Sequence, residues 1–192
     1  QAINPKQPAA HVYRTNSALL SDALTLLEND VPLDIRTDTK DYLKLLRSAD
    51  ALFDGDMRQV KHERLAAYQC YESLEEEMQV DPDPELVRVQ RLIERDRIGY
   101  VIDKLDDYNR DAAKHRKAAG VQTLTTAHKC KGLQWAQVRL GDDFSIKRDK
   151  ETGRLFMPEE ESNLLYVAAT RAEQTLQIND ALSEAHDEIK LF

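Results

Sequence analysis

The residues best equipped for chemistry fall in one stretch, VQTLTTAHKCKGLQWAQVRL, residues 121–140. Its centre offers a hydroxyl (Thr126), an imidazole (His128), two ammonium groups (Lys129 and Lys131) and a flexible glycine (Gly132). Such donors suit phosphate oxygens, on a nucleotide or along a nucleic-acid backbone. A second stretch, EEESNLLYVAATRA, residues 159–172, closes an apolar helical run with Thr170 and Arg171. A guanidinium there can stabilise the charge on a transferring γ-phosphoryl group. Near the start, Tyr13 and Arg14 put a ring that can stack on a base beside a cation that can reach phosphate. Each group taken singly also suits something plainer: an inert Lys- and His-bearing loop, an arginine paired with a surface carboxylate, two neighbours without a joint role.

The elements that must position these groups are legible from periodicity. Residues 11–14, 31–35, 121–125, 138–140 and 176–178 read as strands. Leu19, Leu20, Ala23, Leu24 and Leu27 recur at three- and four-residue spacing behind a cap at Asn16 or Ser17. Tyr42, Leu43, Leu46 and Ala49 do the same behind Thr37 or Asp38, and residues 162–172 form a late helix that looks buried. Strands and helices alternating at both ends of the chain imply an α/β fold, a mostly parallel sheet covered by helices. In such a sheet ligands gather where strands end, which is where the loop at 126–132 begins.

Residues 57–118 differ. β-Branched runs vanish, charge is dense, and Leu65, Tyr68, Leu74 and Met78 follow a helical step. Asp81-Pro82-Asp83-Pro84 breaks it, because each proline disfavours helix at the residue before it. The step resumes with Leu86, Val89 and Ile93 and continues through Val101, Leu105 and Tyr108 beyond Gly99. This block reads as a small all-helical insertion, leaving 1–56 and 119–192 as one discontinuous domain. One helical half of a single domain would give the same pattern. Residues 149–153 read as a charged turn and 181–192 as a helical tail.

Composition narrows the function classes. The chain has 192 residues, 41% hydrophobic and 32% charged, which supports a folded core and excludes disorder. A net charge of −8 argues against a general polyanion binder. The distribution still permits a narrow phosphate contact. Arg110, Lys114, His115, Arg116, Lys117, His128, Lys129 and Lys131 stand against the single acid Asp111 in residues 110–131, although 110–117 suits a solvated helix face as well. No run approaches the roughly 18–20 apolar residues of a membrane span, and no metal-ligand spacing occurs. Cys70 and Cys130 match no disulfide or metal pattern, which fits a reducing intracellular setting: cytoplasm or nucleoid, or the nucleus of a eukaryote. The first residue is Gln1 rather than Met, as in an excised domain or a processed product.

Taken together, YRTN at 13–16, TAHKCKGLQW at 126–135 and NLLYVAATRA at 163–172 resemble, in order, motifs IV, V and VI of superfamily 1 DNA helicases of the UvrD/Rep type. The pattern TxHxxKGLE[FW] is matched across 126–135, with Gln134 in the place of Glu. These forms, with Asp142-Asp143-Phe144, look closest to the F-box DNA helicase branch. The resemblance implies a RecA-like parallel sheet flanked by helices. It implies that Tyr13 stacks near adenine and that Arg14 and Arg171 are catalytic, reaching the γ-phosphate of ATP. It places Gly132 and Gln134 near the ribose and phosphates, and Thr126, His128 and Lys129 on single-stranded DNA. ATP and Mg²⁺ would be held mainly by an N-terminal RecA-like domain of the same protein. No G-x-x-x-x-G-K-[ST] loop and no apolar strand ending in Asp-Glu occurs in this sequence. The resemblance therefore implies a motor half that does not hydrolyse ATP by itself.

Two departures change the charge at the expected sites. Gln134 loses a carboxylate, and Ser162-Asn163 stand where the family carries arginines. They motivate a second reading, a stand-alone binding or regulatory module derived from a helicase. A helicase–nuclease subunit ranks last, because no carboxylate cluster with a neighbouring lysine is evident.

Overall fold

The computed structural model describes residues 2–144, 146–148 and 155–190. The chain divides into two units, one of residues 1–37 with 113–192 and the other of residues 38–112. The predicted turn at 149–153 and the last two residues of the tail lie outside the described residues.

The first unit is built on a five-stranded parallel sheet. Its strands are β1 (Ala9–Tyr13), β2 (Leu33–Ile35), β3 (Gln122–Thr126), β4 (Trp135–Leu140) and, after a separate antiparallel pair of β5 (Lys147–Arg148) and β6 (Leu155–Phe156), β7 (Ala172–Gln177). The order across the sheet is β2-β3-β1-β4-β7, with every pairing parallel. Central strands β1 and β3 are buried at every residue, as expected where helices cover both faces. Alternation along β1 sorts the faces. Ala10 and Val12 join Val138, Leu140, Phe144, Ala168 and Leu182 in one core. His11 and Tyr13 turn the other way, toward Asp22 on helix α1 (Asn16–Glu28). Helix α6 (Glu159–Ala169) and helix α7 (Asp180–Lys190) supply Ala168 and Leu182 to the first face. With helices on both faces this is an α/β fold of the RecA-like kind.

The second unit is helical. It contains α2 (Thr39–Phe53), a 3-10 turn at Met57–Gln59, α3 (Tyr71–Val80), α4 (Pro84–Glu94) and most of α5 (Ile98–Lys117). The unit takes in α2, which periodicity alone grouped with the sheet. Asp38 caps α2, accepting from the Lys40 and Asp41 N–H groups at 3.1 and 2.9 Å. Asp83 caps α4, with Pro84 at its first turn, so the predicted break and restart fall where the prolines put them. The helix expected from Leu65 does not start until Tyr71. The buried Ser48 hydroxyl accepts the N–H groups of Lys61 and His62, and His62 O accepts those of Leu65 and Ala66, which holds this stretch in turns. Gly99 sits inside α5 and does not interrupt it. No helix among the described residues is long and apolar enough to cross a membrane.

Candidate functional site

Because all strands run one way, the sheet has a carboxyl end and an amino end. Register places Tyr13 of β1 beside Thr126 of β3, so Arg14 and the loop from Ala127 leave the sheet together at the carboxyl end. The Ala127 N–H donates to Tyr13 O at 2.8 Å. The loop then turns tightly: the Lys129 and Cys130 N–H groups both donate to Thr126 O at 3.0 Å, and Leu133 N–H donates to Cys130 O. Gly132 adopts φ 84°, a left-handed conformation that glycine accepts without strain. The buried Cys130 anchors the loop, its thiol donating to Ala127 O at 3.2 Å, and burial pushes that thiol up in pKa. The chain arrives at the amino end, where Trp135 pairs with Ala172 and its N–H donates to Arg171 O at 3.0 Å.

One loop thus runs from one end of the sheet to the other, and the candidate residues separate accordingly. At the carboxyl end, His128 and Lys129 are exposed, and Lys129 Nζ lies 3.4 Å from Thr37 Oγ1. Thr126 is only 5% exposed, so its side chain offers little to an incoming strand. Arg14 is held here by a carboxylate. Its Nε donates to both oxygens of Glu161, at 2.7 and 2.6 Å, and Nη2 closes the fork on one of them. The guanidinium keeps the Glu161 carboxyl below the usual range, and the charges of Lys147 and His128 act in the same direction.

At the amino end the arginine is held differently. Arg171 donates from Nε to Val167 O at 2.8 Å, from Nη1 to Leu133 O at 3.3 Å and from Nη2 to Thr170 Oγ1 at 2.8 Å. Every partner is a neutral oxygen, and among the described residues Arg171 makes no ion pair. Its charge stays uncompensated, with donors to spare. Gly132 and Gln134 are exposed in the same turn.

Two placements bear on the expectations for Tyr13, Arg14 and Arg171. Tyr13 is 2% exposed, its ring lies against Gly141, and its hydroxyl donates to Asp22, so no ring face is open to an adenine. Arg14 and Arg171 are anchored apart. Arg14 is tied to Glu161 in the first turn of α6, and Arg171 to Val167 O in the last. That is ~9 Å of helix rise, and more in practice because side chains lean toward the helix N-terminus while carbonyls point away from it. A third difference concerns α6, which looks buried in sequence. Of its residues only Ala168 is fully buried, and Tyr166 is 71% exposed. The basic run at 110–117 is spent largely on structure: Arg110 pairs with Asp107, Arg116 with Asp34, and His115 Nδ1 accepts the Leu33 N–H.

The structure also assigns work to residues that had none. Asp143 clamps the elbow between β1 and α1. It accepts from Arg14 N–H (3.1 Å), Thr15 N–H (2.8 Å) and the Thr15 hydroxyl (3.0 Å). Thr15 in turn caps α1 through Ala18 N–H, the role expected of Asn16 or Ser17. Buried Asn179 secures the loop carrying Asp143, donating to Gly141 O and Phe144 O at 2.8 Å each. The motif Asp142-Asp143-Phe144 was visible in sequence, but its backbone partners were not.

Comparison with known proteins agrees with this layout at a coarse level. No family model matches the chain. Over 191 residues it is 29% identical to F-box DNA helicase protein 1 of Schizosaccharomyces pombe, covering 93% of this chain and 21% of that protein. The chain is therefore similar to a region of a DNA helicase and spans about a fifth of that relative's length.

Proposed function

We propose that this chain is the second RecA-like motor domain of a UvrD/Rep-type, ATP-dependent DNA helicase or translocase. The observation that carries the reading is Arg171. Two segments far apart in sequence meet at it, its guanidinium is fixed by three neutral oxygens, and its charge is left for an anion from outside this chain. That anion is the γ-phosphate of ATP seated with Mg²⁺ on a partner RecA-like domain of the same protein. When bound, the nucleotide supplies the phosphoryl group that is transferred to water. Arg171 stabilises the charge that develops on it, and the exposed Gly132–Gln134 turn lies alongside. The residues present fit that end of a nucleotide only. Tyr13 does not fit an adenine, and the chain has no phosphate loop. Single-stranded DNA tracks the other end of the sheet, past His128 and Lys129. Such a protein works inside the cell, where its DNA is.

The test uses the longer protein that contains this domain. Arg171→Ala is expected to lower DNA-stimulated ATP turnover by on the order of 10³, with little change in nucleotide affinity. Arg14→Ala, at the other end of the sheet, is expected to leave turnover at saturating DNA within about threefold, an effect worth under 1 kcal/mol. Near-normal turnover in Arg171→Ala removes the arginine-finger role. Robust DNA-stimulated hydrolysis by the isolated 192-residue chain removes the motor-half reading altogether.

A further inference from the structure

Strand β7 forms one edge of the sheet. Among the described residues it pairs only with β4, over Ala172–Gln177, whereas the opposite edge, β2, is three residues long. An edge strand turns the N–H and C=O groups of alternate residues outward, and natural sheets blunt such edges with lysine, proline, a cover or a very short strand. β7, AEQTLQ, has no lysine and no proline, and its one charge is Glu173. None of its six residues is buried, although β1 and β3 are buried throughout. The one irregularity in its register falls at its start, which leaves Thr175, Leu176 and Gln177 regularly paired. Its two faces differ. Ala172 and Leu176 lie against the core, as do Leu164 and Leu165 of α6. On the other face register sets Thr175 beside Gln137 and Gln177 beside Arg139, all polar. Helix α1 packs on β1, β2 and β3 on that face. Over β4 and β7 lies main chain instead: Ile3 N–H donates to Gln177 Oε1 at 2.8 Å, and Asn4 N–H to Gln137 Oε1 at 2.7 Å. This side of the sheet already holds one passing segment by its backbone.

We propose that β7 takes up a sixth strand, from a part of the longer protein that lies outside these 192 residues. The proposal rests on the helicase reading, under which the chain is one region of a larger polypeptide, and it adds a binding surface to that reading. The chain covers 21% of the helicase it is similar to, which leaves most of such a protein outside it. The surface specifies what it accepts. Main-chain pairing along β7 takes an extended segment of up to six residues, the length of the strand. Side chains alternate along a strand, so the newcomer carries apolar residues on the side continuous with Ala172 and Leu176. Its polar residues fall on the side continuous with Thr175 and Gln177. Ile178, 36% exposed just past the strand, gives it one more apolar neighbour. For the proposed reaction the consequence lies at the head of β7. Arg171 immediately precedes Ala172, and its carbonyl accepts the Trp135 N–H of β4. A strand on the far side of β7 converts an edge into an interior position and steadies the residue that leads into it.

The experiment is hydrogen exchange, read by mass spectrometry over residues 172–178, in the 192-residue chain and in the longer protein that contains it. In the 192-residue chain the outward amides of β7 are expected to exchange quickly. In the longer protein they are expected to slow by on the order of tenfold, the effect of one ordinary hydrogen bond on each. Central β1 is expected to stay protected in both, which shows that the shorter chain is folded. A benzoylphenylalanine in place of the exposed Gln174 is expected to photo-cross-link, in the longer protein, to a segment of the same polypeptide outside these 192 residues. Should β1 exchange quickly in the shorter chain, the cross-link alone decides. β7 that exchanges as fast in the longer protein as in the 192-residue chain overturns the proposal. Slow exchange of β7 already in the 192-residue chain overturns it as well, and so does a cross-link that joins two copies. Arg171→Ala in the same longer protein judges the motor reading separately. Near-normal turnover in that variant with β7 protected removes the motor reading alone. Turnover that depends on Arg171 with β7 unprotected removes the sixth strand alone.

Discussion

Gly141→Ala tests how the elbow that positions Arg14 is held. A Cβ at residue 141 would lie 2.5 Å from Tyr13 Cδ1, 2.8 Å from Asp143 Oδ1 and 3.1 Å from Tyr13 Cε1. Neither neighbour yields easily. Tyr13 is 2% exposed and pinned through its hydroxyl to Asp22, which also accepts from Arg139 Nη1 at 3.0 Å. Asp143 makes three hydrogen bonds to Arg14 and Thr15. Overpacking against the ring costs about 2 kcal/mol, and a loosened clamp roughly 1 kcal/mol more. At ~2–4 °C per kcal/mol for a chain of this size, a loss of about 3 kcal/mol lowers the melting temperature by ~6–12 °C. The internal comparison is Gly99→Ala. A Cβ there meets nothing within 4 Å and lies within helix α5, so alanine is expected to stabilise by about 0.5–1 kcal/mol. Differential scanning fluorimetry of the two variants beside wild type reads both signs at once. A Gly141→Ala protein that melts with wild type would refute the packing argument, since the structure offers the methyl group no other space.

Other expectations follow from buried groups. His11 is 6% exposed, with Nε2 3.2 Å from Gln122 Oε1 and Nδ1 lacking a hydrogen bond, and burial lowers its pKa below the ordinary 6.5. Protonation therefore favours the unfolded chain. Stability from this residue is complete above pH 6.5 and falls as pH drops below it, by at most about 1.4 kcal/mol per pH unit for one proton. Urea midpoints measured down to about pH 5, above the range where carboxylates titrate, check this. An unchanged acid slope in His11→Gln would remove His11 as its source. The two thiols should separate cleanly. Cys70 is exposed, whereas Cys130 is buried with its pKa raised, so a thiol reagent is expected to modify one cysteine quickly and the second only on unfolding. Rapid modification of both in the folded protein contradicts the anchored loop.

The sheet was legible because its strands alternate or run apolar, and the two main motifs fell on the loop and helix that periodicity assigned them. What sequence could not convey was which end of the sheet each group would reach. Tyr13 and Arg14 follow a strand as a ligand-binding pair would, yet β1 is central, so the ring turns into the core and only Arg14 emerges. Glu161 escaped notice because three acids opening a helix already have a sufficient explanation in the helix dipole. Leu133 escaped because its contribution is a carbonyl, which every residue owns. The turns at 57–70 were mistaken for helix since Leu65, Tyr68, Leu74 and Met78 keep helical spacing. A single buried hydroxyl, Ser48, redirects the backbone hydrogen bonds there.

The contrast between the two arginines follows from elementary electrostatics. In the Arg14–Glu161 pair the two charges largely cancel, although an exposed pair of this kind is worth only about 0–1 kcal/mol. An anion approaching Arg14 must offset that attraction to Glu161 before it gains anything. Carbonyl and hydroxyl dipoles fix the Arg171 guanidinium in direction without cancelling its charge, so an approaching phosphate meets the full monopole in a position that needs no rearrangement. A site that stabilises a short-lived charge benefits from the second arrangement, because nothing must move at the moment of reaction. The assignment of Arg171 to transferring phosphate thus comes from what anchors its guanidinium, and changing that anchor is its most direct challenge. Leu133 offers only a main-chain oxygen, but Thr170→Glu places a carboxylate within reach of Arg171. In the parent protein that substitution is expected to lower ATP turnover nearly as far as Arg171→Ala does, with the side chain still present, and turnover close to wild type would show that the free charge of Arg171 is not what the reaction uses.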